Sequence, residues 1–345
     1  MIAQYKGKMS IEVLCQWAAV SKSSLYYPAH PGPRGIKPSS HTSIGKCGLV
    51  DNQKVVDQIR AILSMDYCVY GYRKMTEELR DMEYLINHKK VYRLMKENHL
   101  LCGRRIRVQG KRKWVKHRRI EANRPMEYLC LDIKYVWVKG ENRWYYQLAI
   151  MDVYSRRILH WIFQRSVRQN DVIALMRWLD LRFGLKGVII RNDNGSQFIA
   201  HKVREVLQSL EANQEFTHVA TPEENAYIEA FHSIQQSELI ERHCFSSYYD
   251  AKQHIEKYMY WYNFRRKHGA IGFITPMQKW IKGLSSTRGM LPSMAEAMDL
   301  SGSVSGVMNE NKKPEYLCRA DDQKSQENNA SVANCFEKTV QFIGG

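Results

Sequence analysis

The chain has 345 residues, 44% of them hydrophobic, and sets 52 Lys and Arg against 35 Asp and Glu for a formal net charge of +17. That length exceeds one small core and suits two or three domains with tails, while the charge points to a polyanionic partner, nucleic acid first. Eight cysteines without a C-x-x-C pair argue against a disulfide framework and a zinc site. With no signal pattern and no long uncharged apolar run, a soluble protein of the reducing cytoplasm is expected.

Residues 10–27 place Ile11, Leu14, Trp17 and Ala18 at helical spacing, with Ser21 able to cap a second short helix. Pro, Gly and Ser crowd residues 28–50, so residues 1–50 read as a helix-turn-helix-like segment and its linker. Over 51–103 three helical patterns follow, "KVVDQIRAILSM", "YGYRKMTEELRDM" and "NHKKVYRLMKENHL", the last with Asn87 as cap. They predict a three-helix, helix-turn-helix-like domain of the kind that enters a DNA groove. Residues 104–124 read as a basic linker that tracks DNA. Arg104, Arg105, Arg107, Lys111, Arg112, Lys113, Lys116, Arg118 and Arg119 stand there within sixteen residues with no acid, and such a run repels itself unless phosphates neutralise it.

The texture changes near 126. "MEYLCLDIKYVWV", "RWYYQLAIMDVYS" and "RRILHWIFQ" are rich in β-branched and aromatic residues and separated by turns, which predicts an antiparallel meander. A helix over 169–184, a strand over 186–191, a helix over 200–211, a short strand "EFTHVA", a long helix from 224 to about 243 and an aromatic, basic helix over 248–267 complete a mixed α/β sheet with flanking helices. This core with its C-terminal helix spans 125–283, and the Ser-, Asn- and Lys-rich residues 284–345 read as a disordered tail.

Three acids stand out in this basic chain. Asp132 interrupts an apolar strand, where a charge is costly without a cation or solvent. Asp193, in "RNDNGSQF", follows another strand, and ligands of open α/β sheets bind beyond strand carboxyl ends, so both acids can share one rim. On the long helix, Tyr227, Ile228, Phe231, Ile234 and Leu239 form the packing arc, beside a polar stripe of Asn225, Glu229, His232 and Gln236. Three converging carboxylates suit hard divalent cations, Mg²⁺ above all, and two such ions serve an in-line phosphoryl displacement. Taken singly, an Asp at a strand end is more often a turn residue and a Glu on a polar helix face more often merely solvated. Asp152, in "IMDVYSRR", reads as such a turn residue or a partner for Arg156 or Arg157.

"LDIKYVWV", "RNDNGSQF" and "ENAYIEAFH" together resemble the three blocks of the Asp-Asp-Glu transposase and retroviral-integrase superfamily, and the 35 residues between Asp193 and Glu229 match its integrase-like branch. With "YGYRKMTEELR" and "INHKKVYRLMKENHLL" upstream and "YWYNFRRKHGAIGFITP" downstream, the chain resembles the second-frame (OrfB) catalytic subunit of IS-three-type insertion-sequence transposases. The resemblance implies a ribonuclease-H-like five-stranded sheet, with Asp132, Asp193 and Glu229 as catalytic residues and metal ligands. It implies Mg²⁺-dependent 3′-end cleavage and strand transfer at the ends of a mobile element, two Mg²⁺ ions replaceable by Mn²⁺, oligomers on DNA, an upstream-frame (OrfA) partner and a place at the bacterial nucleoid.

A ribonuclease-H-like nuclease without strand transfer and a catalytically inert DNA-binding derivative are the alternatives. Asn225 is expected to cap or orient the helix start near the scissile region. Arg265, Arg266 and His268, at a basic helix exit, are expected to contact phosphate, as is Gln236. Family members often carry Lys or Arg at the position of Gln236, where a neutral amide hydrogen-bonds without charge assistance.

Overall fold

The computed structural model describes residues 2–26, 38–45, 48–103, 120–217 and 225–286. Short helices α1 (Ile2–Tyr5), α2 (Ile11–Trp17) and α3 (Lys22–Tyr26) open the chain, with Ser10 and Ser21 accepting from backbone N–H groups where α2 and α3 begin. The stretch read as linker is in part a sheet. Strands β1 (His41–Ile44) and β2 (Gly48–Asp51) pair antiparallel, and β1 also pairs with β3 (Tyr84–Leu85). No apolar alternation marks β1 and β2; they are fixed by the distant β3 and by buried Thr42, whose hydroxyl donates to Asn52 at 2.9 Å.

Around this sheet lie α4 (Asn52–Leu63), α5 (Tyr72–Asp81) and α6 (His88–Glu97). Side-chain oxygens of Asp51 and Asn87 satisfy orphan N–H groups at the starts of α4 and α6. The apolar faces of the three helices close over Val55, Ile59, Met75, Leu79, Val91 and Met95, all fully buried. The basic run 104–119 lies outside the described residues, as does the chain beyond 286.

The larger sheet comprises β4 (Tyr128–Val138), β5 (Arg143–Asp152), β6 (Ile158–Gln164), β7 (Ile189–Asn192) and β8 (Asn213–Phe216), in the order β6-β5-β4-β7-β8. The first three strands form an antiparallel meander and the last two run parallel to β4, which is the ribonuclease-H-like arrangement. The intervening and following helices are α7 (Gln169–Phe183), α8 (Ser196–Ile199), α9 (His201–Ser209), α10 (Ala226–Glu238), α11 (Tyr248–Tyr260) and α12 (Pro276–Ser286). Strand alternation sends Cys130, Val136 and Val138 of β4 toward α10 and α11, and Leu129 and Leu131 toward α7, α9 and α12. Both faces are thus covered near the start of β4, so its apolar character is nearly continuous there. At the β4–β5 turn, a Cβ on Gly140 would fall 1.8 Å from the Ser246 carbonyl oxygen. Only glycine allows the turn to approach the chain leading into α11.

Helix α10 is shorter than its sequence pattern, ending at Glu238 before a 3₁₀ turn at Ile240–Arg242. α11 gives way at Trp261–Arg265 to one π-helical stretch, and the segment that follows is structural. Asn263 accepts from Ile158 N–H at 3.0 Å and donates to its carbonyl at 2.9 Å, tying the helix exit to β6. Arg266 forks onto Glu238 of α10 at 2.7–3.1 Å. The backbone N–H of Lys267 donates to the Tyr70 hydroxyl at 2.9 Å, and its ammonium meets Asp81 and the Glu77 carbonyl on α5. One basic segment therefore joins sheet, α10 and the three-helix unit.

Arg266 and His268 are consequently not available to phosphate. Both are buried, and the His268 Nε2 accepts from the Arg266 guanidinium at 3.1 Å. Burial, with the nearby charges of Arg266 and Lys74, pushes the His268 pKa down to about 2. An unfolded histidine titrates near 6.5, so below that pH the unfolded chain binds a proton that the folded chain refuses, and stability falls as pH drops. Between pH 7 and pH 5 this contribution is about 2 kcal/mol. Urea unfolding at several pH values should show a shallower slope in His268→Gln than in the wild type over that window.

Candidate active site

Asp132 sits mid-way along β4, at Ala149 in the register with β5. Its Oδ1 accepts from Ile133 N–H at 2.8 Å and its Oδ2 lies 3.2 Å from the Nδ1 of His232 on α10. Asp193 follows β7, and its Oδ1 accepts from Gly195 N–H at 3.0 Å in a tight turn. Asn194 secures that turn by donating to the Thr217 carbonyl at 2.9 Å. β4 and β7 are parallel neighbours with Cys130 opposite Arg191, and each acid lies two residues beyond that pair. Burial, and then the negative charge of Asp132, raise the Asp193 pKa above the ordinary carboxylate value. The charge of Asp132, within β4, is thus felt at Asp193, just past the end of β7.

Glu229 occupies the first turn of α10, exposed to solvent and three residues before His232. A three-residue step keeps it on the helix face that meets Asp132. Among the described residues, no three His, Cys, Asp or Glu side chains stand close enough together to hold a metal ion. The structure sets Asp132 against His232 and within electrostatic range of Asp193, and Glu229 stands one helical turn from His232.

What seats α10 is a set of polar contacts absent from the sequence reading. Gln235 and Gln147 of β5 exchange two amide hydrogen bonds, at 3.1 and 2.9 Å, while fully buried. Glu238 takes Arg266 and the Tyr258 hydroxyl. Gln235 and Glu238 fall four and seven residues after Phe231, on the apolar arc. Polar residues on a packing arc were the available signal. His232 likewise leaves the solvated stripe and is buried.

Asn225 is buried at the N-cap position of α10, yet its side chain makes no capping bond and its Oδ1 has no partner among the described residues. Gln236 is half-buried and lines a groove beside His232, and Arg265 is exposed. Asp152 is a turn anchor: fully buried, it accepts from Met126 N–H at 3.0 Å and from the N–H and hydroxyl of Ser155 at 2.7 and 2.5 Å. Burial lifts its pKa to about 6 despite those bonds and the nearby Arg157.

Residues 122–222 match the integrase core domain, residues 210–276 match a further integrase core domain, and residues 50–108 match an HTH-like domain. The chain carries an integrase core behind an HTH-like domain. Its relatives are insertion-sequence transposases, in agreement with the resemblance carried by the three acidic motifs. The transposase for insertion sequence element IS904 of Lactococcus lactis is 26% identical over 246 residues, 66% of this chain and 93% of the relative. The putative transposase InsK for IS150 of Escherichia coli is 25% identical over 224 residues, 61% of this chain and 76% of the relative. The solved catalytic core domain of BIV integrase aligns at 14% identity and a TM-score of 0.35, covering 47% of this chain and 97% of that one. The strand order, independent of that loose likeness, identifies the integrase-core fold here. Among the described residues no helix is long and apolar enough to cross a membrane.

Proposed function

We propose that this protein is the catalytic subunit of an insertion-sequence transposase, in which Asp132, Asp193 and Glu229 hold divalent metal, Mg²⁺ foremost with Mn²⁺ as substitute. The observation that supports this reading is the β4–β7 register, with Asp132 and Asp193 each two residues beyond the Cys130–Arg191 pair, while Glu229 stands on α10 three residues before His232, the partner of Asp132. The donor set fits the group. The negative charge of Asp132 raises the Asp193 pKa, and a hard cation that takes oxygen ligands relieves such repulsion.

Bound Mg²⁺ would supply positive charge to the entering and leaving oxygens of an in-line displacement at phosphorus. The protein's own groups do the rest: Asp132 offers its oxygens from within β4 and Asp193 from the turn after β7, His232 fixes the orientation of Asp132, and basic residues outside the site neutralise the DNA backbone. Water attacks the phosphodiester at an element end and the 3′ oxygen leaves as a hydroxyl; that 3′-hydroxyl then attacks a second phosphodiester, forming a new P–O bond as the 3′ oxygen of the attacked strand leaves. The substrates are then element ends and target DNA, worked on by an oligomer with the upstream-frame subunit as partner, in the cytoplasm at the nucleoid.

The test is a plasmid carrying the inverted repeats that flank the gene, incubated with Mg²⁺, with and without the upstream-frame protein. Joined ends support the reading; nicking without joining favours a nuclease, and binding without cleavage an inert derivative. Metal binding is read separately by thermal unfolding. Millimolar Mg²⁺ should raise the Tm of the wild type and leave that of Asp193→Asn nearly unmoved, since a ligand bound only to the folded state stabilises by mass action. Equal shifts in the two proteins would remove Asp193 from the metal site.

A further inference from the structure

Next to Asp132, the sheet carries exposed aromatic surface that no helix among the described residues covers. β4 pairs with β7 only over Tyr128–Cys130, so from Leu131 onward its far edge has no strand partner among the described residues. A cavity of about 420 Å³ runs along that edge, between Lys134, Tyr135, Trp137 and Trp144 on the sheet and His232 and Gln236 on α10. Cross-strand register places Tyr135 opposite Tyr146 and Trp137 opposite Trp144, and each pair packs edge to face with centroids 5.1 Å apart. Solvent nonetheless reaches 61% of Tyr135, 54% of Trp144 and 38% of Trp137. Two cross-strand aromatic pairs left this open lie beyond what fold packing requires.

The groove begins at the site already described. His232 forms its inner wall, with Nδ1 on Asp132 and with a buried Nε2 that has no hydrogen-bond partner among the described residues. We propose that this groove is a stacking site for unpaired nucleobases at the DNA end held by the carboxylates. The inference rests on the transposase reading and adds the substrate feature it would grip. The chemistry is matched part by part. Tyr and Trp faces accept bases of any sequence, the Lys134 ammonium meets backbone phosphate, and the Gln236 amide can hydrogen-bond base edges. An anionic occupant also suits a chain of net charge +17. The volume lies within the roughly 300–1,000 Å³ of small-ligand sites, a scale that fits flat bases better than the broad patch a second protein needs.

Two duplexes ending in the element's terminal sequence separate the possibilities, one blunt and one with an unpaired 3′ end containing the fluorescent base 2-aminopurine. Binding is measured to the full-length chain in chelator, so that no cleavage intrudes. The wild type should quench the 2-aminopurine and bind the unpaired end more tightly than the blunt one. Trp144→Ala should lose about tenfold in affinity for the unpaired end and nothing for the blunt duplex, while Trp144→Phe retains both. Trp144 is half exposed, and an unchanged Tm would certify the fold. Equal affinity for both ends, or equal weakening of both by Trp144→Ala, would overturn the stacking site and leave the transposase reading standing. A change of oligomeric state in Trp144→Ala, with affinity for the unpaired end intact, would assign the groove to a second copy and overturn the proposal. Failure of the wild type to bind either duplex would sink the transposase reading and the inference with it.

Discussion

Asp132→Asn and Glu229→Gln should each lower the yield of joined DNA ends at least about a thousandfold, with affinity for duplex DNA unchanged. A metal ion supplies several kcal/mol of charge stabilisation to a phosphoryl-transfer transition state, and a loss of about 4 kcal/mol is a factor of a thousand in rate. Either amide keeps the shape of its acid but halves the oxygen donors and removes the charge. His232→Ala should behave differently. It deletes the group 3.2 Å from the Asp132 carboxylate and leaves every proposed ligand in place, so the expected loss is the 10–100-fold typical of an orienting partner. Quantifying plasmid joining against Mg²⁺ concentration separates the roles. Excess metal should recover part of the His232→Ala loss and none of the Asp132→Asn loss. Equal losses in all three would mean that His232 does more than orient, and normal joining by Glu229→Gln would take that residue out of the site.

The strands of the core were legible because β4 to β6 combine β-branched and aromatic residues with turns, and α7 and α9 because their apolar spacing is regular. That Asp132 and Asp193 could share one rim was legible from an acid inside one apolar strand and an acid just after another. Pairings across long sequence separations were not. β1 and β2 depend on β3, some forty residues on, and carry no alternation of their own. Arg266 and His268 look like a solvated basic exit when only their neighbours are considered; the carboxylate that draws the guanidinium inward, Glu238, lies 28 residues earlier on another helix. Its clue was the acid on the apolar arc of α10, which has to be paired if that arc is packed. Basic character alone points Arg265, Arg266 and His268 toward DNA, whereas burial and hydrogen bonding decide the role of Arg266 and His268.

Glu238→Gln should destabilise the fold by about 3–5 kcal/mol, the cost of leaving a buried charge without its partner. Both side chains of the Glu238–Arg266 pair are only 5% exposed, and among the described residues no other carboxylate pairs with the guanidinium. Its neighbours are the neutral His268 and Lys74, whose pKa is already pushed down to about 8 by burial and by Arg266 itself. An amide at 238 accepts at one oxygen, brings its own N–H donors toward a cation, and leaves the Tyr258 hydroxyl competing for the acceptor that remains. Removing both charges is a different experiment. Glu238→Met with Arg266→Met leaves no ion to desolvate, so its stability in urea should recover most of the loss, because a buried pair contributes little net stability over apolar side chains of similar size. If the single and double variants are equally unstable, the hydrogen-bond network through Tyr258 and His268, and not the unpaired charge, holds α10. The double variant also bears on catalysis. Glu238 lies on the same helix as Glu229 and His232, and α10 keeps its Gln235–Gln147 anchor on β5 in that variant. Joining activity should therefore return with stability, because the ion pair secures the helix while the amide pair sets its place on the sheet.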